Sequence, residues 1–178
     1  MDFLDLLKSA GGSDSIGELA GAVGLGSSDT NKLIGALGPA LLGGLKKNTA
    51  DDSGLAGLRN ALQTGGHDRF VDNAKLLRDT ETRSEGNKIL GHLFGSKDVS
   101  RNVAAHAAKE TGIDASIIKR ALPLLASLAM GAMSKKTSAG RDLGSNVSKG
   151  GLGPLTDLIS GGDGFGLDDV LGLAKKFF

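Results

Sequence analysis

The segment Asp114–Lys136, with the sequence DASIIKRALPLLASLAMGAMSKK, contains the longest nearly apolar run of this 178-residue chain, Ala121–Met133. An earlier segment, Thr30–Asn48, reads TNKLIGALGPALLGGLKKN. Each segment has a proline nine positions after its first residue, Pro39 in one and Pro123 in the other. At this common offset of 84, apolar residues also coincide in the pairs Leu33 and Ile117, Ile34 and Ile118, and Leu41 and Leu125.

A second block repeats at an offset of 97, after the proline-containing segment of each half. Each half therefore has a short helix, a long helix with an internal proline, and a leucine-rich helix that ends in glycine. The short helix is predicted on IGELAGAVG in the first half and on NVAAHAAKETG in the second. We predict a duplicated helical array, with a first repeat over residues 1–79, a connector with the ILGHLFG helix over 80–99, and a second repeat over 100–178. The two repeats pack as one domain or as two. The matched residues are Leu55, Leu58, Leu62 and Gly65 in the first half and Leu152, Leu155, Ile159 and Gly162 in the second.

Capping residues and periodicity predict an all-α fold. Ser15 and Glu18 have the spacing of a capping box, in which each side chain bonds a backbone N–H at a helix start. Gly112 suits the left-handed residue that closes a helix, and Asp114 suits the N-cap of the next. No segment shows the sustained alternation of polar and apolar residues that is typical of strands. A further apolar face at helical spacing is formed by Phe70, Ala74 and Leu77.

The composition predicts an aliphatic core with closely packed helices. Hydrophobic residues make up 39% of the chain, which has 29 glycines, six phenylalanines and neither Trp nor Tyr. Small residues recur four positions apart, at Gly17 and Gly21 and again at Ser127 and Gly131, where they permit helices to approach closely.

The two prolines have two interpretations, because a proline inside a helix removes a hydrogen bond and costs about 3 kcal/mol. Pro39 and Pro123 either kink a long buried helix or start a second helix after a tight break. The repetition of the proline at the same site favours proline-kinked core helices.

Charge and cysteine content restrict the classes of function. The 21 basic and 20 acidic residues give a formal net charge of +1, whereas a protein that depends on phosphate contacts usually has a basic excess. The chain has no cysteine, which excludes disulfides and fits a reducing compartment. Asp2 and Asp5 stand where a secretory signal would be basic, and the apolar run Ala121–Met133 is shorter than the about 20 residues of a spanning helix. We expect a cytoplasmic protein without a transmembrane span.

Four blocks of the sequence stand out: LGPALLGGLKKN, GNKILGHLFG, ETGIDASIIKRALPLLASLAMGAMSKK and GGLGPLTDLI. They resemble the YidB-like bacterial family of unknown function, domain of unknown function 937, over most of the chain, from Ile16 to Gly162. The proline-containing helix with its MGA ending is the most specific part. The resemblance implies a small helical bacterial protein, homeodomain-like in outline, and it implies no activity.

No motif indicates a catalytic, cofactor or metal site. The histidines His67, His92 and His106 are far apart in sequence, and the motifs HExxH, CxxC and GxSxG are absent. His67 follows two glycines at an expected helix start, where Asp68 complements the helix dipole. His92 lies in the apolar ILGHLFG segment, where a packing role is expected. We predict no catalytic, cofactor-binding or metal-ligating residues, no cofactor and no enzyme activity.

Glycine-rich and lysine-rich segments also have structural explanations. No strand precedes Gly21–Gly26 and no GK[ST] follows it, so Gly24 and Gly26 are expected to end one helix and shape a turn. Gly161–Gly166 has a single carboxylate and is expected to be a linker rather than a calcium loop. Lysines at helix C-termini offset the helix dipole by about 0.3–1 kcal/mol each. We favour this explanation over an anionic partner for the pairs Lys46-Lys47, Lys135-Lys136 and Lys175-Lys176.

These observations favour a non-catalytic interaction or scaffold protein, with a protein partner or self-association. One alternative is nucleic-acid binding through helix-turn-helix-like units, IGELAGAVGLG followed by TNKLIGAL. Its candidates for base contacts are Asn31 and Lys32 and, in the second half, Lys119 and Arg120. Another alternative is peripheral membrane association through MDFLDLLK or VLGLAKKFF.

Overall fold

A computed structural model describes residues 3–50 and 52–142 of the chain. Over these ranges the protein is all-α and has no strand, as predicted from the sequence. The elements follow one another as α1 (Phe3–Val23), α2 (Ser27–Asn48), α3 (Asp52–Thr64), α4 (Arg69–Asp72), a 3-10 helix (Ala74–Arg78), α5 (Thr80–Phe94), α6 (Lys97–Thr111) and α7 (Ala115–Asp142).

Helix α7 forms the centre of the described structure. Every residue from Ala121 to Ser134 is buried, and the other six α-helices pack against this helix. Within the described ranges, one segment is long and apolar enough to span a membrane, and it is Ala115–Lys136 of α7. Most of this segment is buried inside the fold, and a helix that is surrounded by other helices is expected to be apolar on all sides.

The two prolines lie inside continuous helices, Pro39 in α2 and Pro123 in α7. The interpretation in which each proline starts a new helix is therefore wrong. Helix α2 is buried along one side only, whereas α7 is buried on all sides from Ala121 to Ser134. A bend at each proline and the duplication itself stay predictions, and the second copy of the leucine-rich block lies outside the described residues.

The predicted capping box at Ser15 and Glu18 is wrong, because both residues lie within the unbroken helix α1. Ser15 is fully buried, and its hydroxyl donates to the carbonyl of Gly11 in the same helix (3.1 Å). Glu18 accepts a hydrogen bond from Arg78 (2.9 Å). The helix does not start at Ser15 because its apolar face continues from the N-terminal segment; the buried residues of that face include Phe3, Leu6, Leu7, Ile16 and Leu19. The apolar side chains on which the membrane hypothesis for MDFLDLLK rested therefore face the core.

The predicted connector is helical. Residues 80–87 form the first half of α5 and continue without a break into ILGHLFG. Before this helix, Phe70 and Leu77 are buried as predicted, but they belong to two short helices rather than to one. Asn73 separates the two helices because its backbone leaves the helical region (φ −132°, ψ 79°).

The two tight turns match the predictions made for them. Gly24 and Gly112 adopt the left-handed conformation, with φ of +76° and +74°, which glycine reaches without a steric penalty. Gly26 is the N-cap residue of α2. Asp114 accepts a hydrogen bond from the backbone N–H of Ser116 (2.7 Å) at the start of α7, and hydrogen bonds from Ser116 lower the pKa of the Asp114 carboxyl.

The lysine pairs divide into two cases. Lys46 and Lys47 lie in the last turn of α2, as predicted. Lys135 and Lys136 do not end a helix, because α7 continues to Asp142. Lys135 instead makes tertiary contacts, since its ammonium group donates to the carboxylate of Asp72 and to the carbonyl of Ala10. The pair Lys175-Lys176 and the segment Gly161–Gly166 lie outside the described residues.

Helix α5 crosses α7 where small residues let the two backbones come close. A Cβ atom added to the buried Gly86 would lie less than 3.0 Å from the O, C and Cα atoms of Pro123. At the same crossing, the hydroxyl of Ser127 donates to the carbonyl of Thr82 (3.1 Å). The crossing therefore requires glycine at position 86.

The predicted small-residue pairs behave differently from each other. Ser127 forms the hydrogen bond to α5, and a Cβ atom at Gly131 would meet the backbone carbonyl of His67 at less than 3.0 Å. This pair does permit close packing. Gly17 has no heavy atom within 4 Å of an added Cβ, and Gly21 meets only the side chain of Arg78. This pair therefore makes no close helix contact within the described chain, and close packing against a second copy stays a prediction.

Candidate functional site

A cleft of about 380 Å³ lies where α5 and α6 meet the first turns of α7. Its lining includes three cationic residues, Lys97 and Arg101 from α6 and Lys119 from α7, and no carboxylate. Lys97 and Arg101 are four residues apart and therefore lie on the same face of α6. The other lining residues are neutral: Asn87, Leu90, Gly91, Ser96, Ser100, Leu122 and Pro123.

The cations of the cleft are weakly neutralised by the protein itself. Arg101 pairs with Asp98 (2.8 Å), but the two side chains are 67% and 83% exposed, and such pairs are worth about 0–1 kcal/mol. Within the described ranges, no carboxylate forms an ion pair with Lys97 or Lys119. The N-terminus of α6, capped by Ser96, adds the positive end of a helix dipole. An anionic group is therefore favoured in this cleft.

The structure brings one of the four predicted nucleic-acid candidates into the cleft. Helices α6 and α7 are joined by the turn of residues 112–114, as a helix-turn-helix requires, and α1 and α2 are joined by residues 24–26. Asn31, Lys32, Lys119 and Arg120 are all exposed. Lys32 pairs with Asp29 (3.2 Å), whereas Lys119 lines the cleft.

Lys97 and Arg101 were missed by the sequence analysis. The short helix of the second half was placed on NVAAHAAKETG, which begins at Asn102, whereas α6 begins at Lys97. The available signal was Ser96, because a serine at the N-cap indicates a helix start, and its hydroxyl accepts a hydrogen bond from the N–H of Val99 (3.3 Å). The cations of α6 then have helical spacing, but their approach to Lys119 depends on the tertiary structure.

The three histidines are in three different environments. His92 is exposed, so its predicted packing role is wrong. It lies on the outer face of α5, because the apolar residues around it face the core; these are Ile89, Leu90, Leu93 and Phe94. His106 lies 3.7 Å from the carboxylate of Glu110. In the part of the chain that the structure describes, no three His, Cys, Asp or Glu residues are grouped as metal ligands.

The buried residue His67 belongs to a polar cluster with the partly exposed side chains of Arg69 and Glu85. His67 is 9% exposed, and its ring stacks on Phe70 with 6.1 Å between centroids. Arg69 forms an ion pair with Glu85 and lies over the Phe70 ring at 4.9 Å. The Nδ1 atom of His67 and the Oε2 atom of Glu85 are buried without a hydrogen-bond partner among the described residues. The cluster connects the segment before α4 to α5.

Burial lowers the pKa of His67 below its ordinary value of 6.5, because the charged imidazolium loses its hydration. The carboxylate of Glu85 acts in the opposite direction, Arg69 adds to the lowering, and Asp68 opposes it. At pH values between the lowered pKa of the folded state and 6.5, this residue is protonated more often in the unfolded chain than in the folded chain. The free energy of unfolding therefore decreases as the pH falls below about 6.5.

We expect His67→Gln to reduce this loss of stability at acidic pH. Urea unfolding of the wild type and the variant at pH 7.5 and pH 5.5 measures the difference. The matched control is His92→Gln, whose exposed side chain is solvated in both the folded and the unfolded chain. A loss of stability that is equally large in His67→Gln and in the wild type would contradict the assignment.

A second groove, of about 630 Å³, lies between α1 and the segment that contains α4 and the 3-10 helix. Its charged residues have both signs: Asp14, Glu18 and Asp72 lie beside Lys75 and Lys135, and Lys135 pairs with Asp72. Because these charges compensate one another, this groove is less suited to a charged ligand than the cleft.

The structure thus defines an all-α protein with a buried central helix, α7, and a cationic cleft lined by α5, α6 and α7. The model of a family described as bacterial protein of unknown function (DUF937) matches residues 5–136, and the chain belongs to this family. Nothing similar was found among the curated proteins or among the solved structures.

Proposed function

We propose that the protein is a non-catalytic interaction module that binds a partner protein at the cleft between α5, α6 and α7. The observation that carries the proposal is the lining of this cleft by Lys97, Arg101 and Lys119 without a carboxylate. Cations that lie near one another are stabilised by an opposite charge from a partner. Such electrostatic complementarity increases the rate and the specificity of association.

The remaining lining supports binding rather than a reaction. It contains no histidine and no carboxylate, the side chains that most often transfer protons in enzymes. Leu90, Leu122 and Pro123 belong to the same lining, but they are buried and leave only a small apolar surface next to the cations. Protein interfaces usually combine an apolar core with a polar rim.

Photo-crosslinking in the cell tests this proposal. A photoreactive amino acid at Asn87, an exposed residue of the cleft, is expected to give discrete protein adducts. The matched control carries the same amino acid at Arg59, an exposed residue of α3 outside the cleft. Adducts that are the same from both positions, or none from Asn87, would contradict the proposal.

Nucleic-acid binding is the second candidate function. The observation in its favour is that Lys119 and Arg120 are exposed near the start of the second helix of the α6–α7 helix-turn-helix. Binding of duplex DNA at about 50 mM salt, which weakens with added salt and with the double variant Lys119→Glu, Arg120→Glu, is the result that this function requires. Adducts at Asn87 that disappear after nuclease treatment would also favour it.

A further inference from the structure

We infer that the cleft recognises an acidic peptide segment in which one or two apolar residues lie between carboxylates. This inference rests on the proposed function, because it names the partner of the same site. It is carried by two cations of α6 and one of α7 in the lining of a single cleft, together with apolar residues of α5 and α7.

The charges are arranged for more than one carboxylate. Lys97 and Arg101 lie on α6 with about 5–6 Å between their Cβ atoms, as expected for residues one helical turn apart. Lys119 comes from α7. A peptide that runs between α6 and α7 therefore meets cations of both helices. Its carboxylates compete with Asp98 for Arg101, and that ion pair is exposed and weak.

The lining favours a peptide over a single-stranded nucleic acid. Leu90 and Leu122 belong to the buried part of the lining and are 4% and 2% exposed, and Pro123 is a further apolar residue of the lining. The cleft has a volume of about 380 Å³ and is partly open to solvent, and this volume lies in the range of small-ligand sites. Unpaired bases bind proteins mainly by stacking on aromatic side chains, and the cleft lining contains no aromatic residue.

Neutral polar residues complete the site. Asn87, Ser96 and Ser100 line the cleft together with the cations. Amide and hydroxyl groups both donate and accept hydrogen bonds, as the backbone of an extended peptide requires. The lining therefore offers complementary groups to the carboxylates, the apolar side chains and the backbone of one short segment.

Fluorescence anisotropy with the full-length protein tests the inference. The probe is a fluorescein-labelled peptide of sequence EEDLLDEE, and its two comparison peptides are EEDSSDEE, which lacks the apolar residues, and KKNLLNKK, which has the opposite charge. We expect EEDLLDEE to bind most tightly. The double variant Lys97→Glu, Lys119→Glu is expected to lower its affinity at least about tenfold, since each reversal replaces an attraction by a repulsion.

The matched control is the double variant Lys8→Glu, Arg59→Glu, which changes the net charge equally at exposed residues outside the cleft. Its affinity for EEDLLDEE is expected to stay within about twofold of the wild type, because separated surface charges are screened beyond about 8 Å at physiological salt. Circular dichroism of both double variants checks that they are folded.

The inference is overturned by the absence of EEDLLDEE binding, by equal binding of EEDLLDEE and EEDSSDEE, or by an equal loss of affinity in both double variants. Displacement of EEDLLDEE by duplex DNA at lower concentration than by unlabelled peptide also overturns it, in favour of nucleic acid. If EEDLLDEE does not bind while position 87 still crosslinks to a protein, the partner chemistry is wrong and the proposed function stands. If both fail, the proposed function fails too.

Discussion

Gly86→Ala is expected to destabilise the protein by about 3 kcal/mol or more, at the upper end of the range for overpacked cores. The added methyl group would meet three backbone atoms of Pro123 at less than 3.0 Å, and backbone atoms cannot rotate aside as a side chain can. Helix α5 would have to move away from α7, and the hydrogen bond from Ser127 to Thr82 lies at the same crossing. Urea unfolding followed by circular dichroism measures the loss.

Gly91→Ala is the control, because it makes the same change in the same helix. Gly91 is exposed and has no heavy atom within 4 Å of an added Cβ. In the interior of an exposed helix, alanine is favoured over glycine by about 1 kcal/mol, so this variant is expected to be more stable than the wild type. Equal stability of the two variants would show that α5 does not cross α7 at Pro123.

Leu125→Ala is expected to lower the free energy of unfolding by about 2–5 kcal/mol. Leu125 lies in the fully buried part of α7 and is 0% exposed. Its truncation removes apolar contacts and leaves a cavity among helices that surround α7 on several sides, which limits how far they can close it. Thermal and urea unfolding both report the change.

The control for this prediction is Leu42→Ala in α2. Leu42 packs against the core but is only partly buried, so water reaches part of the space that its side chain leaves. We expect a clearly smaller loss of stability than for Leu125→Ala. If the order of the two losses were reversed, α7 would not be the central helix.

The positions of most helices follow from the sequence, because apolar periodicity and turn residues are local signals. Gly112 and Asp114 mark the start of α7 by their own conformational preferences. The helix over residues 80–87 was not recognised, because its buried positions are occupied by Thr82 and Gly86, which do not form an apolar pattern. Small residues are needed at these positions because α7 passes close to them. This need arises from the tertiary structure, so the local sequence does not reveal it.

The candidate site was only partly predictable for the same reason. The helix-turn-helix-like pattern indicates Lys119 as a candidate for base contacts, whereas its presence in one cleft with Lys97 depends on how α6 packs on α7. The histidines illustrate the limit of local composition. His92 stands among apolar residues and is exposed, while His67 stands among glycines and charged residues and is buried.

The order of the helices along the chain has a consequence for biosynthesis. The helix on which the others pack, α7, follows them all in the described sequence, so the ribosome releases α1 to α6 before their common support exists. At a rate of about 5–20 residues per second, the nascent chain keeps its aliphatic side chains uncovered for several seconds. Such surfaces attract chaperones and aggregation partners. The described fold is therefore completed only after the buried part of α7, up to Ser134, has left the ribosome.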